Sequence, residues 1–238
     1  MRVSDDITPI MATNFVHVLR ERAGRHPDRE AFAFLSDGEA GTSRITYGDL
    51  DHGARALASF LQNSGLQGER AMLVFPPGLD FITAFFGCLY SAMTAVPVYP
   101  PRSRRLLDVF LRQVYDVNPR AILTVSALLP RLDSLDFHGV ELIAIDILNG
   151  GAHDWRMPDL GADDLALIQY TSGSTATPKG VMVSHRNLIE NQKIIQRAFS
   201  QDQHSIVVGW LPLYHDMGLI GNVLQPVFSG SRAILMPP

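Results

Sequence analysis

Residues 170–180 read YTSGSTATPKG, a run of hydroxyl side chains and glycines that ends in Lys179 and follows the apolar stretch LALIQ. Hydroxyls, a lysine and the backbone N–H groups that glycines leave accessible are all donors suited to phosphate oxygens. A loop that leaves a strand can direct several of these donors into one concavity. The segment therefore predicts a polyphosphate site. A solvated turn rich in serine, threonine and glycine is the alternative that the residues alone leave open.

The spacing of this loop disfavours the loop used by kinases and GTPases. That motif is G-x-x-x-x-G-K-[ST], whereas here Pro178 precedes Lys179 and Gly180 follows it. No hydroxyl follows the lysine to hold a magnesium ion in the way that motif requires. The loop is therefore expected to serve a different phosphate chemistry.

A second polar group lies at His215 and Asp216, within WLPLYHDMGLIG at residues 210–221. An imidazole at the end of a strand-like run can face a reacting group. The pair can equally cap a helix, because aspartate favours the N-terminal end. Both interpretations stay open. His185, which follows the predicted helix cap Ser184, is expected to be structural.

From about residue 45, amphipathic helical segments alternate with short apolar runs, a pattern typical of a mostly parallel sheet flanked by helices. The predicted fold class is therefore α/β. Thr46 and Asp49 predict a helix cap, and 149–164 predicts a polar surface loop. After Ser184, an inward helix face is predicted at Leu188, Gln192, Ile195 and Phe199. The predicted strands lie at 71–75, 95–99, 121–125, 140–145, 165–170, 181–183, 205–211 and 232–236.

Composition excludes several classes of protein. With 20 basic and 24 acidic residues, the chain lacks the positive charge that a nucleic-acid-binding surface needs. Residues 81–101 form an uncharged run long enough to span a membrane, but their changing period favours a buried helix followed by a strand, so no stable membrane insertion is expected. The single cysteine, Cys88, is expected to be buried, and a reducing cytoplasm is the expected location.

Three segments carry a resemblance to a known family: IQYTSGST at 168–175, WLPLYHDMGLIG at 210–221 and AVPVYPP at 95–101. Together they resemble the fatty acyl-AMP ligases of the adenylate-forming superfamily. The resemblance covers roughly residues 15–238, which correspond to the front part of the large N-terminal domain. It implies that 1–238 is a partial AMP-binding domain, with the remainder of that domain and a small C-terminal domain absent from the chain.

The resemblance also implies a reaction. A long-chain fatty acid is activated with ATP to an acyl-adenylate and pyrophosphate, and the acyl group then passes to the phosphopantetheine thiol of an acyl carrier protein. Mg2+ is expected to accompany ATP, with its protein ligand beyond residue 238. The 238 residues alone are expected to be inactive, because the adenine and ribose site and a catalytic lysine are also expected beyond that point.

The same resemblance assigns roles to particular residues. His215 is expected to face the reacting carboxylate and the α-phosphate. The apolar segment after Asp216 is expected to form a wall of the acyl pocket, although core packing explains its pattern equally well. The residues expected to bind the ATP phosphates are Thr171, Ser172, Gly173, Ser174, Thr175 and Lys179; those of the acyl wall are Met217, Gly218, Leu219 and Ile220.

One departure and three alternatives accompany the resemblance. Ala176 stands where the superfamily usually has glycine, which makes a left-handed backbone at that position less favourable. An acyl-CoA synthetase or a peptide-synthetase adenylation domain would share the chemistry but differ in acceptor or acid. A lipid-binding or interaction module without catalysis is the alternative from another class.

Overall fold

The strands form two sheets in a computed structural model, which describes residues 12–36, 41–101, 103–135, 137–148, 150–171 and 179–238. Short runs of β-branched and aromatic residues form the strands, as their preference for a pleated, half-buried surface leads one to expect. The strands are β1 (Glu30–Leu35), β2 (Thr42–Thr46), β3 (Arg70–Val74), β4 (Thr94–Val98), β5 (Ala121–Thr124), β6 (Glu141–Ala144), β7 (Leu165–Thr171), β8 (Lys179–Ser184), β9 (Ile206–Gly209) and β10 (Arg232–Leu235).

The two sheets share a plan in which one antiparallel strand closes an edge of otherwise parallel strands. The four-stranded sheet has the order β2-β1-β10-β9, with β2 antiparallel to β1. The six-stranded sheet has the order β6-β5-β3-β4-β7-β8, with β8 antiparallel to β7. Because β4 and β7 are parallel neighbours, the segments that follow them emerge at the same edge of the sheet.

Several helices begin where a polar side chain bonds to a free N–H group of the first turn. Thr46 and Asp49 form a capping box at the start of the second helix, and Ser184 and Asn187 form another at the start of the sixth. The helices are α1 (Phe15–Arg25), α2 (Tyr47–Asn63), α3 (Leu79–Tyr90), α4 (Arg104–Val117), α5 (Leu129–Asp133), α6 (His185–Phe199), α7 (Asp216–Leu219) and α8 (Gln225–Ser229), with a π-helical turn at Ile220–Leu224 between the last two.

The larger apolar core includes residues of both sheets together with α1, α2 and α3. The uncharged run that could have suggested a membrane span forms α3 and β4, and residues Phe85, Phe86 and Cys88 are fully buried in it. Among the described residues, no helix is both long and apolar enough to cross a membrane. The expectation of a buried helix followed by a strand, with a buried Cys88, is confirmed.

A smaller core lies on the opposite face of the six-stranded sheet, beneath α4. Phe110 and Val117 of α4 pack there against strand residues such as Met72 and Val96. Alternation along the strands explains the division, because Leu73, between Met72 and Val74, belongs to the larger core. Helix α4 therefore covers the face of β7 that is turned away from the larger core.

The α/β architecture predicted from the sequence is the observed one, with two differences in detail. Phe199 is 73% exposed at the end of α6, so the expected inward face of that helix ends before it. The expectation began only near residue 45 and did not include α1, β1 or β2. The pairing of β1 with β10 joins residues about 200 positions apart, which local patterning does not reveal.

Candidate functional site

The predicted phosphate loop connects the two strands of the β7–β8 hairpin. Thr171, the last residue of β7, lies directly opposite Lys179, the first residue of β8, and both are exposed. The expected phosphate-binding residues between them, Ser172, Gly173, Ser174 and Thr175, lie outside the described residues, as does Ala176. The hairpin thus places the two ends of the loop side by side and presents a hydroxyl and an ammonium group at its base.

Gly180 allows the strands of this hairpin to pack closely. A Cβ atom at this position would lie 2.7 Å from Cγ2 of Ile168 and 3.6 Å from the ring of Tyr170. The first distance is shorter than non-bonded carbon atoms tolerate. A residue other than glycine would therefore require either the Ile168 side chain or β8 to shift at the position next to Lys179.

Tyr170 anchors the end of β7 to α4. Its hydroxyl donates to Oδ2 of Asp116 at 2.6 Å and lies 3.4 Å from the carbonyl oxygen of Gln113. Burial, followed by the hydrogen bond to Asp116, raises the pKa of Tyr170 above its ordinary value, so the phenol is a donor at neutral pH. The residue that precedes Thr171 is therefore tied to the helix beneath the sheet.

Gln169 connects the same strand to the second motif. Its Nε2 donates to the carbonyl oxygen of Tyr214 at 3.0 Å. Tyr214 also meets Tyr99 edge to face, with ring centroids 4.9 Å apart. Gln169, Tyr99 and Tyr214 each belong to a different one of the three segments identified in the sequence. The structure therefore brings all three segments together at the carboxyl ends of β4 and β7.

His215 occupies the N-cap of α7, and its side chain is 60% exposed. Its Nδ1 lies 2.5 Å from Oδ1 of Asp216, while the Met217 N–H lies 2.7 Å from that oxygen and 3.4 Å from Nδ1. The N–H of Met217 therefore faces both the imidazole of His215 and the carboxylate of Asp216 at the start of α7. The capping arrangement weighed for this pair is present, and it leaves Nε2 outside it.

The four residues expected in the acyl wall differ in burial. Leu219 is fully buried in the larger core, and Ile220 is half-buried against it. Gly218 is buried against a backbone carbonyl, since a Cβ there would lie 2.1 Å from the oxygen of Pro212. Met217 is 64% exposed. Core packing accounts for Leu219 and Gly218 in this chain, and Met217 is the one of the four with a large accessible side chain.

An apolar cavity lies beside Tyr214, between the carboxyl ends of strands from both sheets. Its volume is about 20 Å³, which is room for roughly one water molecule. Its walls come from the ends of β1, β3 and β10 and the segment after β9; they include Phe34, Phe75, Phe81, Leu213, Tyr214 and Met236. This cavity is too small to hold a fatty chain.

Two histidines of the sequence differ sharply in environment. His185 is 1% exposed, and its Nδ1 accepts a hydrogen bond from the backbone N–H of Phe15 at 3.4 Å. Burial lowers the pKa of His185 to about 4. It is therefore a neutral, structural residue as expected, in contrast with the exposed His215.

Gln169 and the Tyr170–Asp116 pair were not among the residues singled out from the sequence. Their partners lie 45 and 54 positions away in the chain, and no local pattern identifies them. A polar glutamine inside an otherwise apolar strand, LALIQYT, was the available signal.

Comparison with protein families matches residues 19–238 to the family described as AMP-binding enzyme. The chain belongs to that family. A medium-chain-fatty-acid–[acyl-carrier-protein] ligase of Moorena producens is 37% identical over 236 residues, which are 95% of this chain and 40% of the relative. A long-chain-fatty-acid–AMP ligase of Mycobacterium tuberculosis is 34% identical over 97% of this chain and 42% of its own length. The AMP-binding chain thus spans about two fifths of these curated relatives.

Solved structures agree with this assignment. A fatty acyl-adenylate ligase from L. pneumophila, in complex with acyl adenylate and pyrophosphate, is 38% identical and superposes with a TM-score of 0.90 over 96% of this chain and 40% of its own. The adenylation domain of a keto acid-selecting peptide-synthetase module is 21% identical, with a TM-score of 0.85 over 95% of this chain, and supports the fold alone. The AMP-binding fold expected from the three segments is confirmed.

Proposed function

We propose that this chain is part of an enzyme that activates a fatty acid with ATP. The observation that carries the proposal is the meeting of the three segments at one sheet edge, through Gln169, Tyr99 and Tyr214. The similar L. pneumophila ligase was solved with an acyl adenylate and pyrophosphate. In this proposal residues 1–238 form the front part of an N-terminal AMP-binding domain.

The proposed reaction gives the carboxyl group a leaving group, AMP, which a free carboxylate lacks. A carboxylate oxygen attacks the α-phosphorus of ATP, the bond from that phosphorus to the bridging oxygen breaks, and pyrophosphate leaves with the electron pair. The product is a mixed anhydride, the acyl-adenylate. A thiol can then attack its carbonyl carbon, giving a thioester and AMP. Catalysis of such a transfer depends mainly on positioning and on stabilising charge.

The residues at the hairpin suit the phosphate end of this reaction. Thr171 and Lys179 would bind the β- and γ-phosphates together with Ser172, Gly173, Ser174 and Thr175. The ammonium group of Lys179 would offset the charge that develops on pyrophosphate. The pairing of Thr171 with Lys179 supports this role, because it places the hydroxyl and the ammonium group at the base of the same loop.

His215 would face the carboxylate and the α-phosphate. The short contact with Asp216 holds its ring and leaves Nε2 available toward the substrate. Met217, Gly218, Leu219 and Ile220 would begin the acyl wall, to which Met217 contributes the exposed side chain. Each methylene buried from water contributes about 0.8 kcal/mol, so such a wall binds long chains well but distinguishes neighbouring lengths weakly.

Mg2+ would enter with ATP and balance the charge of its phosphates. Among the residues that the structure describes, no three or more His, Cys, Asp and Glu side chains are grouped so as to hold a metal ion. Magnesium bound through substrate phosphates needs only one or two carboxylates, so we assign its protein ligand to none of the described residues.

We further propose an acyl carrier protein as the acceptor and the cytoplasm as the location. The relatives named as [acyl-carrier-protein] ligases support the first point. A cytoplasmic enzyme would meet both ATP and a carrier protein. CoA is the competing acceptor.

The test is pyrophosphate release by the full natural polypeptide with ATP and saturated fatty acids of increasing length, followed by transfer to a holo carrier protein or to CoA. We expect release that depends on the fatty acid, and thioester formation on the carrier protein. Tight fatty-acid binding without any ATP-dependent product would instead identify a lipid-binding module. Because the chain spans about two fifths of its relatives, we expect the 238 residues alone to release little pyrophosphate.

A further inference from the structure

We infer that Gln169 is a positioning residue that fixes the His215 segment relative to the phosphate loop. The inference rests on the proposed function, because it concerns how two parts of that site keep their relative placement. The evidence is a hydrogen bond that joins a residue two positions before Thr171 to the residue directly before His215.

The connection is the hydrogen bond from Nε2 of Gln169 to the carbonyl oxygen of Tyr214, at 3.0 Å. Gln169 lies two residues before Thr171, and Tyr214 directly precedes His215. A backbone carbonyl is a more rigid attachment point than a side chain, because it moves only with its peptide plane. The bond therefore couples the backbone that carries His215 to the strand that leads into the phosphate loop.

The strand that carries Gln169 is itself held firmly. Successive side chains of a strand point to opposite faces, so Gln169 and Tyr170 leave β7 on opposite sides. Tyr170 is fixed by Asp116 of α4, while β8 pairs along one edge of β7. Gln169 thus extends from a rigid base toward the segment that it contacts.

The segment that contains Tyr214 is not held in place by a helix or a strand of its own. Strand β9 ends at Gly209, and α7 begins only at Asp216, so residues 210–215 lie between regular elements. The Tyr99 ring packs edge to face against the ring of Tyr214, and this contact limits the motion of the Tyr214 side chain. The bond from Gln169 acts on the main chain instead, one residue from the imidazole.

The two ends of the Gln169 amide differ, because only Nε2 makes a hydrogen bond within the described residues. Oε1 of Gln169 is buried and has no hydrogen-bond partner among the described residues. Leaving a buried polar atom unpaired costs free energy, and an apolar side chain of similar shape would avoid that cost. The donor end accounts for a glutamine at this position.

A displacement of His215 relative to the bound phosphates would slow the reaction more than it would weaken nucleotide binding. In-line transfer requires the reacting groups to be aligned, and a misplacement of about 1 Å can reduce rates about 100-fold. In the proposed function, ATP binding depends mainly on Thr171, Lys179 and the loop between them, whereas the Gln169 side chain bonds to Tyr214. Loss of the bond should therefore lower kcat and leave KM for ATP nearly unchanged.

The test compares Gln169→Met with Gln62→Met in the full natural polypeptide. Methionine keeps the length of the side chain and removes both polar atoms. Gln62 of α2 is the control, because its amide also bonds to the backbone, at the carbonyl oxygen of Arg156 (2.8 Å) and the N–H of Arg156 (3.1 Å), and it belongs to none of the three site segments. Acyl-adenylate formation gives kcat and KM, and hydrogen–deuterium exchange reports on peptides that cover residues 211–217.

We expect Gln169→Met to lower kcat by about 100-fold with KM for ATP changed by less than about threefold, and to speed exchange in 211–217. Gln62→Met should leave kcat and that exchange unchanged. Unchanged kcat, or unchanged exchange, in Gln169→Met would overturn the inference. If the unsubstituted protein formed no acyl-adenylate, the proposed function would fail, and exchange would still decide whether Gln169 holds the segment.

Discussion

Polar side chains in the helical interior and at the base of the β7–β8 hairpin differ in burial and in hydrogen bonding. Asp51 of α2 is 3% exposed, and both of its oxygens are bonded: Oδ2 to Arg20 and Arg55, at 2.7 and 2.8 Å, and Oδ1 to the Tyr90 hydroxyl at 2.9 Å. At the hairpin, Thr171 and Lys179 are exposed. The interior uses its polar groups to join helices, whereas these two polar groups at the base of the phosphate loop are exposed to solvent.

Apolar side chains show the same contrast. Helix α3 is buried along nearly its whole length. Near the site, Met182, Trp210 and Met217 are 61–68% exposed. The comparison indicates that stability depends on the buried interior, whereas the proposed chemistry would use exposed groups at the hairpin. Substitutions should therefore separate into those that unfold it and those that affect the reaction alone.

The largest expected effect is on stability, from Asp51→Leu. The substitution leaves the buried Tyr90 hydroxyl without its acceptor and two arginines without their carboxylate. We expect the free energy of unfolding to fall by about 3 kcal/mol, the lower end of the range for broken buried pairs, because Arg20 is partly exposed. Denaturant unfolding measures it. The matched control is Glu190→Gln, which removes an exposed pair with Lys193 and should leave stability unchanged. Equal losses in the two variants would contradict the comparison.

The second prediction concerns the hairpin. Lys179→Met should lower the rate of acyl-adenylate formation by about 100-fold, as loss of one group that stabilises developing charge typically does. Stability should not change, because Lys179 is exposed. Lys193→Met, on the exposed side of α6, is the control for loss of a lysine charge. A rate equal to that of the unsubstituted protein would remove Lys179 from the site.

The third prediction concerns the pH dependence of stability, which we expect to depend on the buried His185 of the interior. His185 is neutral in the folded protein down to a pKa of about 4, whereas an unfolded histidine takes up a proton near pH 6.5. Between these values the unfolded state binds more protons. The contribution of neutral His185 to the free energy of unfolding is therefore complete above pH 6.5 and is lost as the pH falls toward 4. We expect about 2 kcal/mol less stability at pH 5 than at pH 7 from this residue.

Denaturant unfolding of His185→Leu at both pH values checks this prediction. The variant should show a smaller difference between pH 7 and pH 5 than the unsubstituted chain. An equal pH dependence in the two proteins would assign the acid sensitivity to other groups.

The smallest expected effect comes from the anchor between the two regions. Tyr170→Phe removes the hydrogen bond to Asp116 and should cost about 1 kcal/mol or less of stability. It should raise KM for ATP modestly, since Tyr170 adjoins the phosphate loop. Asp116→Asn keeps an acceptor oxygen and should have a smaller effect on both quantities. A larger effect of Asp116→Asn than of Tyr170→Phe would show that the carboxylate acts in another way.

The sequence predicted well those features that local patterns encode. The Thr46–Asp49 capping box, the buried run of α3 and the two strands that flank the phosphate loop all follow from neighbouring residues, whereas the antiparallel pairing of those strands was not predicted. The Phe199 prediction was wrong, because the apolar period of α6 continues into a last turn that is exposed. Strand β1 was missed, since its continuous apolar run finds its parallel partner only in β10.

The site was predictable as a set of motifs and not as an arrangement. IQYTSGST indicated phosphate, yet nothing in it shows that Gln169 reaches Tyr214. Such contacts depend on strand order, which brings β4 and β7 together although they are about 70 residues apart. For the same reason the role of Asp116 becomes visible only once α4 is placed beneath β7.

The central claim is that a fatty carboxylate attacks the α-phosphorus of ATP at this sheet edge. It is tested most directly with a fatty acid carrying 18O in its carboxylate, incubated with the full natural polypeptide, ATP and holo carrier protein. The proposed reaction transfers one labelled oxygen to the phosphate of AMP when the thioester forms. Labelled AMP is the expected result. Unlabelled AMP would contradict the claim. Formation of ADP and inorganic phosphate in place of AMP and pyrophosphate would contradict it as well.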